Sequence, residues 1–138
     1  MIGLISCSAQ KLDRPAPARD LYCSPLFRKS LAFAESRCQG VYVLSAALGL
    51  VELDQQLEPY DRRLGDKEDR RAWADGVAGA LIDRHGVAET YLLLAGADYA
   101  RPLLSALRWR GWRGRVREPL QGLQIGERLR ALNEWSQP

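Results

Sequence analysis

The segment covering residues 5–22, ISCSAQKLDRPAPARDLY, carries an unusual density of reactive side chains. Ser6, Ser8 and Lys11 are residue types that bind a phosphate or a sugar, and Asp20 supplies a carboxylate. The segment directly follows an apolar run that is typical of a buried strand, and polar loops in that position often form ligand sites. The alternative is a proline-stiffened surface loop whose serines satisfy backbone groups.

Cys7 is the one thiol inside this segment. A nucleophilic thiolate needs a neighbour that lowers its pKa, such as a histidine, a lysine or a helix N-terminus. The only histidine, His85, falls at the end of a predicted helix, where a capping or surface role is expected. We therefore expect Cys7 to line the site as a small apolar side chain and not to attack a ligand.

A second group of polar residues is the string LEPYDRRL. Glu58 and Asp61 are acids that could serve a reaction, and Tyr60 offers a stacking face and a hydroxyl. Arg62 and Arg63 can bind phosphate. The string lies in a stretch with little periodicity that is too long for a simple connection, which favours a functional role. The alternative is a helix-entry turn whose charges pair with one another.

Two further candidates stand at the ends of predicted strands. Gly96 and Tyr99 belong to the string LAGADYA. A glycine there lets a ligand approach the backbone, and the tyrosine can stack on a base. Ser45 ends the strand VYVLSA in the same way. A plain strand-to-helix turn explains Gly96 and Tyr99 equally well.

Basic residues are concentrated near the C-terminal third. Six arginines and no acid lie between residues 101 and 117, and Trp109 and Trp112 lie among them. Arginine binds phosphate bidentately and stacks on bases, so this stripe favours contact with nucleic acid. The alternative is an ordinary solvated surface, since the formal net charge is only +3. The residues predicted to bind DNA are Arg108, Arg110, Trp112 and Arg113.

Alternating strands and helices must position these groups, and they predict an α/β fold. The expected architecture is a three-layer sandwich with a short, mainly parallel sheet of about four strands, forming one domain over residues 1–138. The carboxyl ends of parallel strands meet at one edge, where ligands bind. The predicted strands are 2–7, 41–46, 90–96 and a short one within 114–120, and the predicted helices are 24–38, 68–85, 98–109 and 121–135.

Local signals mark several boundaries of these helices. Ser24 is predicted to cap the first long helix, with a proline following at the first helical position, and Gly40 to end it. Gly86 is predicted to end the next helix, and Asp98 to cap the one after it. The residues 47–66 between them are predicted to be a long irregular segment.

Composition limits the remaining possibilities. No run approaches eighteen apolar residues, and no signal peptide is apparent, so a membrane location is not expected. Three cysteines form no zinc pattern, and we expect a reducing, cytoplasmic setting without metal or cofactor.

Several of these strings together resemble a family of small bacterial and phage proteins of uncharacterised domain type. The resemblance spans about residues 4 to 132. It rests on the order of the motifs rather than on any one of them. The matching strings are Ser6-Cys7-Ser8 with Lys11, PAPARDLY, SPLFRKS, VLSAALGL, EPYDRRL, LAGADY and PLQGLQIGERLRAL.

The architecture expected for that family resembles the uracil-DNA glycosylase superfamily. There a short parallel sheet lies between helices, and the loop after the first strand carries Gly-Gln-Asp-Pro-Tyr. Residues 18–22, ARDLY, keep the Asp-x-Tyr spacing. The resemblance implies that Asp20 activates a water, that Tyr22 shapes the base pocket and that Phe27 stacks on the flipped base. The superfamily's histidine motif is absent, and the resemblance does not transfer its role to His85.

These features lead us to expect a cofactor-free DNA glycosylase that removes a modified base of phage type, with antiviral defence as its role. Such an enzyme flips the base into a pocket, stabilises an oxocarbenium-like sugar with a carboxylate and holds phosphates with arginines. Asp20 is the first candidate for that carboxylate, followed by Glu58 and Asp61. Arg110 and Trp112 are candidates to fill the gap in the base stack. An enzyme acting on free nucleotides or nucleosides, either an N-ribosyl hydrolase or a transferase, and a non-catalytic nucleic-acid binding module remain as alternatives.

Overall fold

Seven strands and five helices make up the protein in the computed structural model, which describes residues 1–136. The strands are β1 (Ile2–Ser6), β2 (Ala16–Pro17), β3 (Gly40–Ser45), β4 (Gly49–Glu52), β5 (Gln56–Leu57), β6 (Tyr91–Leu94) and β7 (Val116–Arg117). The helices are α1 (Ala18–Leu21), α2 (Pro25–Arg37), α3 (Lys67–His85), α4 (Ala97–Trp109) and α5 (Ile125–Trp135).

The main sheet has five strands in the order β4-β3-β1-β6-β7. The central strand β1 pairs in parallel with β3 and with β6, so that Leu4 lies between Tyr42 and Leu93. Strand β7 extends the parallel part, and β4 joins β3 antiparallel at the other edge. The α/β class and the mainly parallel sheet are confirmed, with one strand more than expected.

Side chains on alternate sheet positions enter two separate cores. Ile5 and Val43 pack in a cluster with residues of α2 and α5, whereas Leu4 and Leu44 pack with α3 and α4. This alternation follows from the two-residue period of a strand, which sends neighbouring side chains to opposite faces. Helices therefore flank the sheet on both faces, which explains why the inner strands β1, β3 and β6 are mainly apolar.

Two of the four predicted helix boundaries agree with the structure. Ser24 caps α2, since its Oγ accepts the backbone N–H of Phe27 at 3.1 Å. Gly86 ends α3 with a φ of 79°. The cap predicted at Asp98 is wrong, because α4 begins at Ala97 and Asp98 lies inside its first turn. Helix α2 ends at Arg37, so Gly40 opens β3 instead of ending the helix.

The prediction of an irregular segment over residues 47–66 is wrong in its first half. Strand β4 folds back on β3, with Val43 opposite Val51, and β5 pairs with β2. Gly49 makes the tight return possible, because its φ of 78° lies in the region that glycine adopts without strain. These strands were missed because they are short and their apolar positions are few.

Helix α5 begins at Ile125, later than the predicted start at residue 121, and is buried only in part. Leu132 is buried, but Ile125 at the helix start is 67% exposed. Within residues 1–136, no helix combines the length and the apolar composition needed to cross a membrane.

Candidate functional site

A pocket of about 250 Å³ opens at the carboxyl ends of β1 and β6. It unites three segments that are far apart in sequence: the loop after β1, the LEPYDRRL string and the first turn of α4. Ligands of parallel α/β sheets bind at this edge. The lining residues are Cys7, Ser8, Ala9, Lys11, Asp61, Arg62, Arg63, Leu64, Asp98 and Tyr99.

A chain of hydroxyl groups fastens the LEPYDRRL string to the sheet. Tyr60 Oη lies 2.7 Å from Ser45 Oγ and 2.5 Å from Tyr22 Oη. Ser45 Oγ also accepts the backbone N–H of Leu48 at 3.0 Å. Ser45 and Tyr22 are buried, so they hold Tyr60 on a rigid base. The next residue along the chain, Asp61, is thereby held at the pocket.

Burial keeps the phenol groups of Tyr60 and Tyr22 protonated. Burial raises the pKa of the Tyr60 hydroxyl well above its ordinary range, and it also raises the pKa of Tyr22. Both side chains are therefore neutral at physiological pH. They act as hydrogen-bonding groups that position the loop and not as bases.

Tyr99 and Cys7 contact each other in the lining of the pocket. Tyr99 Oη lies 3.5 Å from Cys7 Sγ, and its ring packs edge-on against Trp73 with centroids 5.3 Å apart. Burial raises the pKa of Tyr99, so its hydroxyl stays neutral and can donate a hydrogen bond. His85 hydrogen-bonds Tyr42 at 2.9 Å, near the opposite ends of the strands, so it does not serve Cys7 as a base.

Positive charge surrounds the pocket opening. Lys11 Nζ sits 4.5 Å from the centroid of the Tyr60 ring, a distance that permits a cation–π interaction. Arg62 and Arg63 are exposed at the rim, and Arg62 lies 3.8 Å from Asp69 across the loop. A group of cations around a small pocket suits a phosphorylated ligand.

Two carboxylates share this pocket with the cations. Asp98 is paired with Arg70 of α3 at 3.3 Å. Asp61 is exposed, and within residues 1–136 no cation lies at ion-pair distance from it. Asp61 is therefore the carboxylate most open to a ligand. Asp98 escaped sequence reasoning because its position at a helix start suggested a cap.

Four other predicted site residues lie away from the pocket. Asp20 is exposed on α1 and Glu58 is exposed on the loop, and neither lines the cavity. Phe27 is only 2% exposed and packs against Tyr22, with ring centroids 5.1 Å apart, so it has no face left for a base. Tyr22 is fully buried and contributes through its hydroxyl. The sequence spacing does not reveal this burial.

Ser6 and Gly96 lie next to the pocket, at the ends of β1 and β6, without lining it. Ser6 lines a small neighbouring cavity of about 40 Å³ that also touches Cys7 and Ser8. Gly96 is the N-cap residue of α4, where the chain turns from β6 into the helix. Both therefore shape the backbone around the pocket.

The predicted DNA-binding residues lie at the opposite end of the sheet. Helix α4 starts above the carboxyl end of β6, and 13 residues carry it about 20 Å toward the amino end. Arg108 and Arg113 are exposed there, while Arg110 binds Asp75 of α3 at 2.9 Å. Trp112 is buried, and its indole N–H donates to the Glu89 carbonyl at 2.9 Å, so it cannot enter a base stack.

Acidic and thiol side chains are dispersed over the molecule. Within residues 1–136, no three His, Cys, Asp or Glu side chains gather closely enough to hold a metal ion. A ligand in the pocket would therefore meet hydroxyl groups, a thiol, carboxylates and cations.

Comparison with known proteins identifies the family of this chain. No curated protein matches it, and no solved structure matches it. One family model, described as a family of unknown function (DUF6884), matches residues 2–134, which include the whole of the pocket. Since that match covers nearly the full sequence, the chain belongs to the DUF6884 family.

Proposed function

We propose that the protein hydrolyses the N-glycosidic bond of a modified base in DNA, within the pocket at the carboxyl ends of β1 and β6. The observation that carries the proposal is the meeting of the open carboxylate of Asp61 with Lys11, Arg62 and Arg63 around one small cavity. The cations suit the phosphates of a nucleotide, and the carboxylate suits the positive charge that develops on its sugar.

The size of the pocket supports a nucleoside-sized ligand. Pockets for drug-sized molecules measure roughly 300–1,000 Å³, and this one measures about 250 Å³. A base flipped out of the stack needs a face to pack on and polar groups at its edge. Tyr99 provides a ring and a neutral hydroxyl, and Ser8, whose hydroxyl donates to the Gln10 carbonyl at 2.7 Å, can still accept a hydrogen bond.

The proposed reaction uses Asp61 in place of Asp20, because Asp20 is exposed outside the cavity. As the bond between C1′ and the base nitrogen breaks, its electron pair leaves with the base, and the carboxylate stabilises the cationic sugar. Water attacks C1′ and gives up a proton to Asp61, while the departing base takes up a proton from solvent. The products are a free base and an abasic site.

The resemblance to uracil-DNA glycosylases supports this assignment at the level of architecture. A mainly parallel sheet lies between helices, and the pocket opens at its strand ends. The absent histidine motif favours a base other than uracil, for which a phage-type modification and an antiviral role are proposed. Three free thiols, Cys7, Cys23 and Cys38, support a reducing cytoplasmic setting.

The decisive experiment incubates the protein with DNAs that carry natural and phage-modified bases. Mass spectrometry detects a released base, and alkaline cleavage detects abasic sites. Asp61→Asn should lower release at least about a hundredfold, the order expected for losing electrostatic stabilisation of a transition state. Asp20→Asn is the matched control and should retain activity. DNA binding without release from any substrate would leave the non-catalytic module as the better description.

An enzyme acting on free nucleotides is the second candidate, and one observation favours it. Arg108, Arg110 and Arg113 lie at the far end of the sheet, so they cannot hold the phosphates that flank a base in this pocket. Reversing all three charges should not affect cleavage of a mononucleotide. If base release from DNA also survives this reversal, any DNA contact must come from another surface.

A further inference from the structure

We propose that the groove between α3 and α4 is a binding track for a single strand of DNA that continues out of the pocket. The inference rests on the proposed function, because it assumes that the pocket receives a base from a polynucleotide. It names the part of the substrate that the pocket itself does not contact, and it assigns a role to Trp109.

Trp109 offers an exposed aromatic surface at one end of the proposed track. It ends α4 and is 89% exposed, although the same helix buries Leu103, Leu104 and Leu107 against the sheet. A tryptophan so open to water leaves a large apolar face unpaired. Proteins that bind single strands use such aromatic side chains as platforms on which bases stack.

The groove beside Trp109 is the second observation. It has a volume of about 880 Å³ and lies between the first half of α3 and the part of α4 from Pro102 to its end at Trp109. Lys67, Arg70 and Arg71 line it from α3, whereas α4 contributes Pro102 and Ser105 together with the tryptophan. The α3 side therefore carries three cations against the two acids Glu68 and Asp75, and the α4 side is apolar or small, which suits the phosphates and the bases of one strand.

The groove carries a small excess of positive charge. Its acids are Glu68 and Asp75, and Arg110 neutralises Asp75 at 2.9 Å. Arg70 is held at 3.3 Å by Asp98, outside the groove lining. Lys67 and Arg71 then remain as exposed cations at the groove, against the exposed acid Glu68. The charge complements a polyanion better than an acidic or neutral protein surface.

The groove also connects to the pocket. Asp98 lines the pocket, and its partner Arg70 lines the groove, so the two cavities adjoin at this ion pair. From Lys67 to Asp75 the α3 wall extends about 12 Å, enough for roughly three stacked nucleotides. A strand whose base occupies the pocket can thus lay its neighbours along the groove and place one base on Trp109.

Binding of a fluorescein-labelled oligothymidine of twelve nucleotides, followed by fluorescence anisotropy, tests the track. Trp109→Ala should weaken binding by about five- to a hundredfold, the range expected for the loss of one stacked base. The double variant Lys67→Glu with Arg71→Glu should weaken binding at least tenfold. It should also reduce the slope of log K against log salt by about 1.4, as expected for two phosphate contacts on a single strand.

The matched control reverses the same amount of charge elsewhere. Arg115 and Arg117 are exposed, and neither lines the groove. Arg115→Glu with Arg117→Glu should change the affinity less than threefold and leave the salt slope near its original value. Since all the substituted side chains are at the surface, circular dichroism should show that every variant folds.

Three outcomes would overturn the track: equal affinity of the Trp109→Ala variant, equal losses from the groove and control reversals, or burial of Trp109 between two copies of the chain. Light scattering at the assay concentration detects the last. A failure of the proposed reaction is distinguishable, because base release would be absent while the groove variants still lost affinity for the oligonucleotide. Conversely, base release with no effect of Trp109→Ala removes the track and keeps the reaction.

Discussion

The two ends of the central sheet treat buried hydroxyl groups in opposite ways. At the carboxyl end, Tyr60, Tyr22 and Ser45 form a hydrogen-bonded chain beside an open pocket. At the amino end, Tyr91 is buried against Trp112, and its hydroxyl has no hydrogen-bond partner among residues 1–136. The first arrangement orients a loop. In the second, the Tyr91 ring is packed in the core while its hydroxyl stays without a hydrogen bond.

Charge follows the same division between the ends. Cations at the carboxyl end line a cavity together with carboxylates, whereas Arg108 and Arg113 at the other end project from the surface. An arginine that lines a cavity can bind a ligand there, whereas an arginine that projects from the surface has no cavity to serve. Four predictions test this difference.

The largest effect is expected from charge reversal at the pocket rim. Arg62→Glu with Arg63→Glu should weaken binding of thymidine 5′-monophosphate about a hundredfold, because two charge-assisted contacts to phosphate are replaced by repulsion. Arg108→Glu with Arg113→Glu carries the same charge change and should leave the affinity unchanged. Titration calorimetry measures both. Equal losses in the two variants would remove the distinction between the ends.

Removing the central hydroxyl of the chain should cost stability. In Tyr60→Phe, the hydroxyls of Tyr22 and Ser45 lose a partner while staying buried, and the free energy of unfolding should fall by about 1–2 kcal/mol. Urea unfolding followed by circular dichroism gives the value. A variant as stable as the original protein would mean that these hydrogen bonds do not hold the LEPYDRRL string on the sheet.

The opposite sign is expected at the amino end. Tyr91→Phe removes a buried hydroxyl that lacks a partner, so the free energy of unfolding should rise by up to about 1 kcal/mol. The same urea titration measures it beside Tyr60→Phe. Destabilisation by more than about 1 kcal/mol would show that the Tyr91 hydroxyl is satisfied in solution.

A pH-dependent effect is expected in alkaline solution. Burial raises the pKa of Tyr91 to about 12, whereas an unfolded tyrosine ionises near pH 10. Below pH 10 both states keep the proton and stability is constant. Between pH 10 and about 12 only the unfolded state releases it, so this contribution is lost as the pH rises. Thermal melts should show a smaller decline in this window for Tyr91→Phe than for the original protein.

Much of the fold could be predicted because its signals are local. Ser24 and Gly86 mark helix ends through their own backbone preferences, and apolar runs mark the buried strands. Short elements escaped prediction, since β4 depends on a turn at Gly49 and on pairing with β3. Two or four residues carry too little pattern to distinguish a strand from a loop.

The candidate site could be predicted only in part. Lys11 and Tyr99 were recognised from their positions after strands, and Tyr60 and Asp61 from a long stretch with little periodicity; the fold brings the four together. Asp20 and Phe27 were suggested by resemblance, but the fold leaves one outside the pocket and buries the other. Spacing along the chain cannot show which side of a short loop or helix faces a cavity.

The sequence by itself determined the α/β alternation, the apolar strands and the polar segments that follow them, because these depend on neighbours a few residues apart. The tertiary structure decided which segments share a pocket, which carboxylate remains open and which arginines lie at the far end. Those properties depend on strand order and helix direction, which bring Cys7 into contact with Tyr99, 92 positions along the chain. Long-range packing, and not local preference, therefore places Asp61 at the pocket and leaves Asp20 outside it.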